Sequence, residues 1–321
     1  MNVLFPDIHL NLSKNMAKAF DELGHTMIIP SKDYNIQHRP KPPIKDFVWN
    51  ESWSQEKVDQ DFIPSNVRCL NKEEILEIKP EIIFITAYEN QFEILNEIWP
   101  HLQHCSKLAF YSGNDYWAEA YPWYLVQNYL CADYLAFTLC QKHGINHLYY
   151  RPWVDYDSFS FGGPTECNKI NSYINDYESN FPKEYEFSQA LKEAVDFIDF
   201  EFCEGLEKKN VVKKMHDSLA TLHVKNLEGY GYTIIESMAC GRPVFLSSAL
   251  SKNKSYENWA VENKTCLYFE DSRDFACKAK ALIDSKDYRE YLQGKCAATI
   301  RELINNEEQT NKLGTFLNRL V

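Results

Sequence analysis

Residues 227–248 read LEGYGYTIIESMACGRPVFLSS, and two carboxylates in that stretch, Glu228 and Glu236, bracket two glycines, Gly229 and Gly231. A Gly-x-Gly turn that opens a helix lets backbone approach a ligand closely. The unpaired N–H groups and the positive end of the helix dipole favour an anion there. Glu228 and Glu236 are eight residues apart, so both acids can face one cleft. A phosphate at the turn would then have a carboxylate on either side, one for the hydroxyls of a sugar and one for those of a ribose. The same residues have a plainer use, because an acid ahead of a helix caps it and an acid in its first turn suits the dipole.

Other chemistry finds less support. The nine histidines form no H-x-x-E-H, H-E-x-x-H or similar spaced set. No G-x-G-x-x-G follows the first expected strand, which disfavours a dehydrogenase, and no G-x-S-x-G or kinase signature is present. The ten cysteines include no C-x-x-C pair and are scattered. That distribution reads as reduced thiols in a cytoplasmic protein. With 34 basic against 46 acidic residues the formal charge is −12, which disfavours nucleic acid and anionic lipid as partners but leaves room for one local basic pocket. No apolar run approaches the ~20 residues of a membrane span. The opening MNVLFPDIHL has neither the basic nor the long apolar region of a secretory leader.

The elements that must position the two acids follow from hydrophobic period. Short apolar runs alternate with amphipathic stretches along the whole chain of 321 residues, the pattern of an α/β protein with parallel sheets, and the length favours two domains. Strands are predicted at NVLFP (2–6), HTMIIP (25–30), EIIFITA (81–87) and KLAFYS (107–112), with ADYLAFTL and HLYYRPWV as two more. Helices are predicted from Ser13 to Gly24, over 72–79, and in QFEILNEIWPHL up to a break near Pro100. A Gly/Pro break at FGGPTEC (161–167) separates the first domain, 1–157, from a second, 165–304. In the second, KINSYI, FIDFEFCEG, SLATLHV, RPVFLSS and CLYFE read as strands, and a helical tail follows. Residues 31–66 show no clear period and read as a flap, either a surface cover or an acceptor-binding element. Ligands of such sheets bind at the carboxyl ends of the strands.

The run E-G-Y-G-Y-T-I-I-E followed by S-M-A-C-G-R-P-V resembles the E-x7-E signature and the A-x-G-x-P-V segment of retaining GT-B glycosyltransferases, family 4 most of all. The likeness extends over about 216–282, and RPWVDYDSF (151–159) is similar to that family's linker N-G-V-D-x-x-x-F. The resemblance implies a GT-B fold, with two Rossmann-like domains facing a central cleft, and a metal-independent, cofactor-free hexosyltransferase. Its donor would be a nucleotide-diphospho-sugar, with GDP-mannose first and UDP-glucose next, and its acceptor a carbohydrate or glycoconjugate hydroxyl. It implies that Glu228 contacts the donor sugar, that the amides of Gly229, Tyr230, Gly231 and Tyr232 line the diphosphate, that Thr233 adds a hydroxyl, and that Glu236 holds the ribose. It also implies that residues 305–321 form a helix crossing back to the first domain. The Asp-Tyr-Asp at 155–157 has the look of a metal motif but is better explained by the linker pattern.

The departures are specific. No arginine stands after the first strand of the second domain, where the family carries one. Lys183 is the expected surviving cation and is assigned a catalytic role on that ground, against the alternative of a solvated lysine at a helix start; Lys225 and Lys208 are substitutes without a predicted place. The interval between Gly205 and Asp217 is one strand–helix unit short, which puts the nucleobase near Glu204, Gly205 and Leu206. The family's first-domain histidine is replaced by SGND, leaving His9, Asn114 and Asp115 for the acceptor side or for ordinary loop polarity. These losses motivate an alternative of another class, a nucleotide-sugar-binding protein of the same fold without turnover. An epimerase or a phosphorylase ranks lower, and a homodimer stays open.

Overall fold

Four-residue apolar runs such as Ile82–Ile85 (IIFI) are buried along their whole length, as strands of a parallel sheet covered on both faces must be. The computed structural model describes residues 1–6, 10–31, 66–86, 89–113, 126–151, 153–226, 230–251 and 254–321. His9, Asn114, Asp115, Glu228 and Gly229 lie outside the described residues, as does nearly all of the 31–66 segment. The chain divides into two compact units, one of Met1–Trp153 with Asn306–Val321 and one of Val154–Asn305.

The first unit begins with β1 (Asn2–Leu4), α1 (Leu10–Glu22), β2 (Thr26–Pro30), β3 (Val67–Leu70), α2 (Lys72–Ile78) and β4 (Ile82–Ile85). It continues with α3 (Glu89–Leu102), β5 (Lys107–Ser112), β6 (Asn128–Cys131), α4 (Tyr134–His143) and β7 (Asn146–Tyr149). Its seven strands pair in parallel in the order β3-β2-β1-β4-β5-β6-β7.

Two expectations are corrected here. ADYLAFTL is no strand: the strand is Asn128–Cys131 just before it, and a helix runs from Tyr134 to His143. Asp133 caps that helix by accepting from the Ala136 N–H at 2.6 Å, and Gly144 ends it in the left-handed region at φ 64°. Those terminal signals outweigh the apolar, aromatic run between them. Nor does the helix break at the expected Pro100: α3 continues through it to Leu102. A proline so close to the carboxyl end removes one N–H from the ladder without ending the last turn.

The second unit holds β8 (Lys169–Ser172), α5 (Tyr177–Asn180), α6 (Pro182–Ala194), β9 (Asp199–Phe202), α7 (Lys208–His216) and β10 (Ala220–His223). After these come α8 (Tyr232–Ala239), β11 (Val244–Ser247), a 3-10 turn at Ser255–Asn258, β12 (Cys266–Phe269), α9 (Ser272–Asp284) and α10 (Lys286–Leu303). Its five parallel strands are ordered β12-β11-β10-β8-β9. The core is aromatic: Phe275 of α9 is fully buried with ring centroids 4.8 Å from Phe245, 5.2 Å from Phe269 and 5.7 Å from Phe200. Burial of such a ring contributes roughly 1.5–3 kcal/mol.

The last helix, α11 (Asn306–Leu320), belongs to the first unit, where it packs on α1 and β7. Its Gln309 Oε1 accepts from the Arg151 N–H at 3.0 Å. Among the described residues no helix is long and apolar enough to cross a membrane.

Candidate functional site

The strand order of the second unit points to a candidate site before any side chain is considered. From β8 the chain moves first to β9 on one side and then to β10 on the other. The connections leaving the carboxyl ends of β8 and β10 therefore part in opposite directions, and a crevice opens where they do. The segment after β10 carries Gly231, Tyr232, Thr233 and Glu236; the segment after β8 leads through α5 to Lys183.

Hydrogen bonds hold these segments together. Tyr177, fully buried, donates its hydroxyl to the Val224 carbonyl at the end of β10 and lies 2.9 Å from Ser188 Oγ on α6. Glu184, in the first turn of α6, accepts from the Asn226 N–H at 3.3 Å. Lys225 stands 5.0 Å from the Phe181 ring centroid, at the start of α6. The segment after β9 joins the same rim: Glu204 accepts from the Tyr177 N–H at 3.4 Å, and the Gly205 N–H donates to Asn175 Oδ1 at 3.2 Å.

Gly231 is the N-cap of α8 and sits in the left-handed region at φ 77°. Having no side chain, it leaves the first turn uncapped, and the first ladder bond runs from the Ile235 N–H to the Gly231 carbonyl at 3.1 Å. The amides of Thr233 and Ile234 have no acceptor among the described residues. A Cβ at Gly231 would stand 3.1 Å from Ile234 Cδ1, so the turn is tight as well as left-handed. The Tyr230 ring is buried against Trp259 at 4.6 Å and Tyr232 at 5.3 Å, which commits its side chain to packing.

Glu236 lies one turn into α8. It keeps an opening to solvent, yet protein surrounds its carboxyl closely enough that burial pushes the pKa up to about 8. Lys208 opposes that rise and Asp155 adds to it. Among the described residues no donor reaches the Glu236 carboxyl. A half-open, desolvated acid without a partner is one of the commoner marks of a binding site.

Lys208, the first residue of α7, forms an ion pair with Asp155. The Asp155 carboxyl also accepts from the Ser158 hydroxyl at 2.7 Å and the Ser158 N–H at 3.2 Å. Burial alone would raise the Asp155 pKa, but the bonds from Lys208 and Ser158 outweigh it and hold the carboxyl at about 2. The first acid of the Asp-Tyr-Asp stretch is thus taken up by a lysine and a serine.

Of the expected site residues, Lys183, Glu204, Gly205, Leu206, Tyr230, Gly231, Tyr232, Thr233 and Glu236 all sit in connections at the carboxyl rim of one five-stranded sheet or at the start of the helices that follow. Lys183, second residue of α6, is exposed and makes no ion pair or hydrogen bond among the described residues. Sequence reasoning missed the Asp155–Lys208 pair, Glu184 and Tyr177. The linker pattern marks Asp155, but nothing marks its partner 53 positions away.

No protein-family model matches the sequence, and no curated protein matches it either. Solved structures do. HepE of Anabaena in complex with UDP and glucose aligns with a TM-score of 0.70 at 9% identity, covering 99% of this chain and 99% of that one. Sucrose-phosphate synthase from Thermosynechococcus elongatus aligns with a TM-score of 0.66 at 10% identity, covering 100% of this chain and 99% of the other. A glycosyltransferase from Rickettsia africae gives 0.64 at 12% identity over 99% and 97%. At such identities the likeness is one of fold: the chain has the GT-B fold, an α/β architecture of two parallel sheets with helices.

Proposed function

We propose that the chain is a glycosyltransferase that moves a sugar from a nucleotide-diphospho-sugar to an acceptor hydroxyl with retention of anomeric configuration. The observation that carries this reading is the opening of α8, where a left-handed Gly231 turn precedes the half-open Glu236 carboxyl, which has no partner among the described residues, at the switch point of the sheet. In this reading the amides of the turn and first helical residues meet the diphosphate, Thr233 adds a hydroxyl, and Glu236 accepts from the ribose. Glu228 touches the donor sugar and Glu204–Leu206 frame the base. The transition state separates a sugar cation from a diphosphate, and fixed amide dipoles with Lys183 stabilise that leaving charge without reorganising.

Support for a nucleotide ligand comes from the fold neighbours, since HepE was solved with UDP and with UDP and glucose. That favours a UDP-sugar at least as much as the GDP-mannose to which the family resemblance leads. The acceptor side is assigned to the first unit, with His9, Asn114 and Asp115 as its candidates. Calorimetric titration with GDP-mannose, UDP-glucose and their relatives tests the reading. Binding of one or more is expected, weakened about tenfold by Glu236→Gln, as for loss of a hydrogen bond to a desolvated carboxyl group. No binding of any at millimolar concentration would overturn it. A second reading, binding without turnover, is favoured by the absence of arginine between β8 and α6 and by the exposure of Lys183. Donor consumption in the presence of an acceptor extract separates the two.

A further inference from the structure

We propose that Tyr177 is a positioning residue of the donor site, whose hydroxyl fastens the chain leaving β10, and with it the glycine turn, to the helix that carries Lys183, so that turn amides and ammonium meet one diphosphate. This rests on the nucleotide-sugar reading above and adds to it the group that aligns its two anion-binding parts.

Three connections of the rim meet at Tyr177. After β8 the chain passes through the left-handed region at Asp176, φ 48°, a conformation that a residue with a side chain adopts only under constraint. The next residue is Tyr177, 1% exposed. Its ring lies 5.5 Å from Tyr185 of α6 and 6.1 Å from Phe202 at the end of β9, and those two rings are themselves 5.5 Å apart, so the three close a triangle. The Tyr177 N–H donates to the Glu204 carboxyl beyond β9 at 3.4 Å. The hydroxyl completes the set at the Val224 carbonyl, beyond β10.

Proton accounting fixes what that hydroxyl does. Its oxygen lies beside the Val224 carbonyl, the Glu184 carbonyl at 3.2 Å and Ser188 Oγ at 2.9 Å. Carbonyls only accept, tyrosine has one proton to give, and the Val224 oxygen is the closer of the two. Ser188 therefore donates its own proton to the tyrosine oxygen, and the tyrosine donates to β10. The two residues after Val224 are moored to the same helix start. Lys225 stands 5.0 Å from the Phe181 ring centroid, and the Asn226 N–H donates to Glu184 at 3.3 Å. Phe181 and Glu184 flank Lys183 in the sequence, so residues 224–226, which lead to the Gly231 turn, are held to the first turn of α6 on either side of that lysine. Tyr177→Phe removes the bond to Val224 and keeps both the ring triangle and the N–H to Glu204.

The test uses Tyr177→Phe, Lys183→Ala and the double variant in the full chain, with calorimetry of UDP-glucose and GDP-mannose at low and high salt. Tyr177→Phe is expected to weaken the nucleotide sugar about tenfold. In that background Lys183→Ala should add less than about a twofold loss, although no hydrogen bond joins the two side chains. Tyr177→Phe should also flatten the salt dependence of binding to that of Lys183→Ala, because an ammonium displaced from the diphosphate no longer contributes a screened attraction. Unchanged affinity in Tyr177→Phe overturns the proposal. Losses that multiply in the double variant, or a salt dependence that Tyr177→Phe leaves intact, overturn it as well, since that is the behaviour of a tyrosine that only stabilises the fold. So does a Lys183→Ala variant that binds as the unaltered protein does. If denaturant unfolding shows Tyr177→Phe to be unfolded, Glu184→Ala, which frees the Asn226 N–H, takes its place in the same cycle, with a loss of about threefold and the same non-additivity expected. Failure of the unaltered protein to bind any nucleotide sugar would instead bring down the functional reading, and this proposal with it.

Discussion

Beyond the last residue of α8, the Arg242 guanidinium is 1% exposed and donates to the carbonyls of Gly163, Met215 and His216 and to the Thr165 hydroxyl. One turn into the same helix, the Glu236 carboxyl is crowded by protein, open to solvent on one side, and met by no donor among the described residues. A buried charge fully answered by its own fold is scaffold, because every group that would otherwise be left desolvated has a partner. A polar group left unanswered by the described residues yet reachable waits for a partner from outside. Six positions separate a strut from a candidate contact, and residue type alone does not tell them apart.

The sharpest way to break this contrast is to remove the strut. Arg242→Leu leaves several buried carbonyls without donors and should lower unfolding stability by about 3–5 kcal/mol, read from guanidinium denaturation. If it costs no more than a surface change, the contrast is false. The two glycines extend the comparison. At Gly241, φ 74°, a Cβ would collide with the Phe161 ring and lie 2.9 Å from the Gln293 carbonyl oxygen. Gly241→Ala should therefore cost about 3 kcal/mol, and Gly231→Ala, strained but less crowded, about 1–2 kcal/mol, by the same measurement.

Proton linkage separates Glu236 from Asp155. The folded-state pKa of Glu236, about 8 against an ordinary 4.5, means the folded protein keeps a proton that the unfolded chain releases. Its contribution to stability is complete below pH 4.5 and is lost as pH rises towards 8, at up to about 1.4 kcal/mol per pH unit. Asp155 runs the other way, with its contribution present above pH 3.8 and lost as pH falls through about 2. Glu236→Gln should flatten the upper limb of a stability–pH curve and Asp155→Asn the acid limb, each leaving the other in place. Smallest of all is the effect expected of Lys183→Ala. Exposed and without an ion pair among the described residues, it should shift stability by less than about 0.5 kcal/mol, while weakening a nucleotide sugar in a salt-dependent way; unchanged affinity would remove Lys183 from the site.

Much of the fold was legible because its signals are local. IIFI and CLYF are strands as their apolar runs suggest, and the Gly231 turn opens a helix where the spacing placed it. The misreading at ADYLAFTL is instructive, since Asp133 and Gly144 marked both helix ends and were overruled by the apolar composition between them. Of the candidate site, the members carried by one stretch after β10 were readable together. Glu184, Tyr177 and the Asp155–Lys208 pair were not, since each acts across tens of residues of intervening chain.

Hydrophobic period, turn chemistry and the spacing of the acids by themselves determined an α/β chain of alternating strands and helices, with a glycine turn ahead of Glu236. Those properties depend on neighbours within a few positions, and a sequence displays them directly. Which buried polar group is answered and which is left open, and where Lys208 finds its counter-ion, only the tertiary structure decided. Strand order brings those groups together, and their energies depend on burial that no single segment can provide.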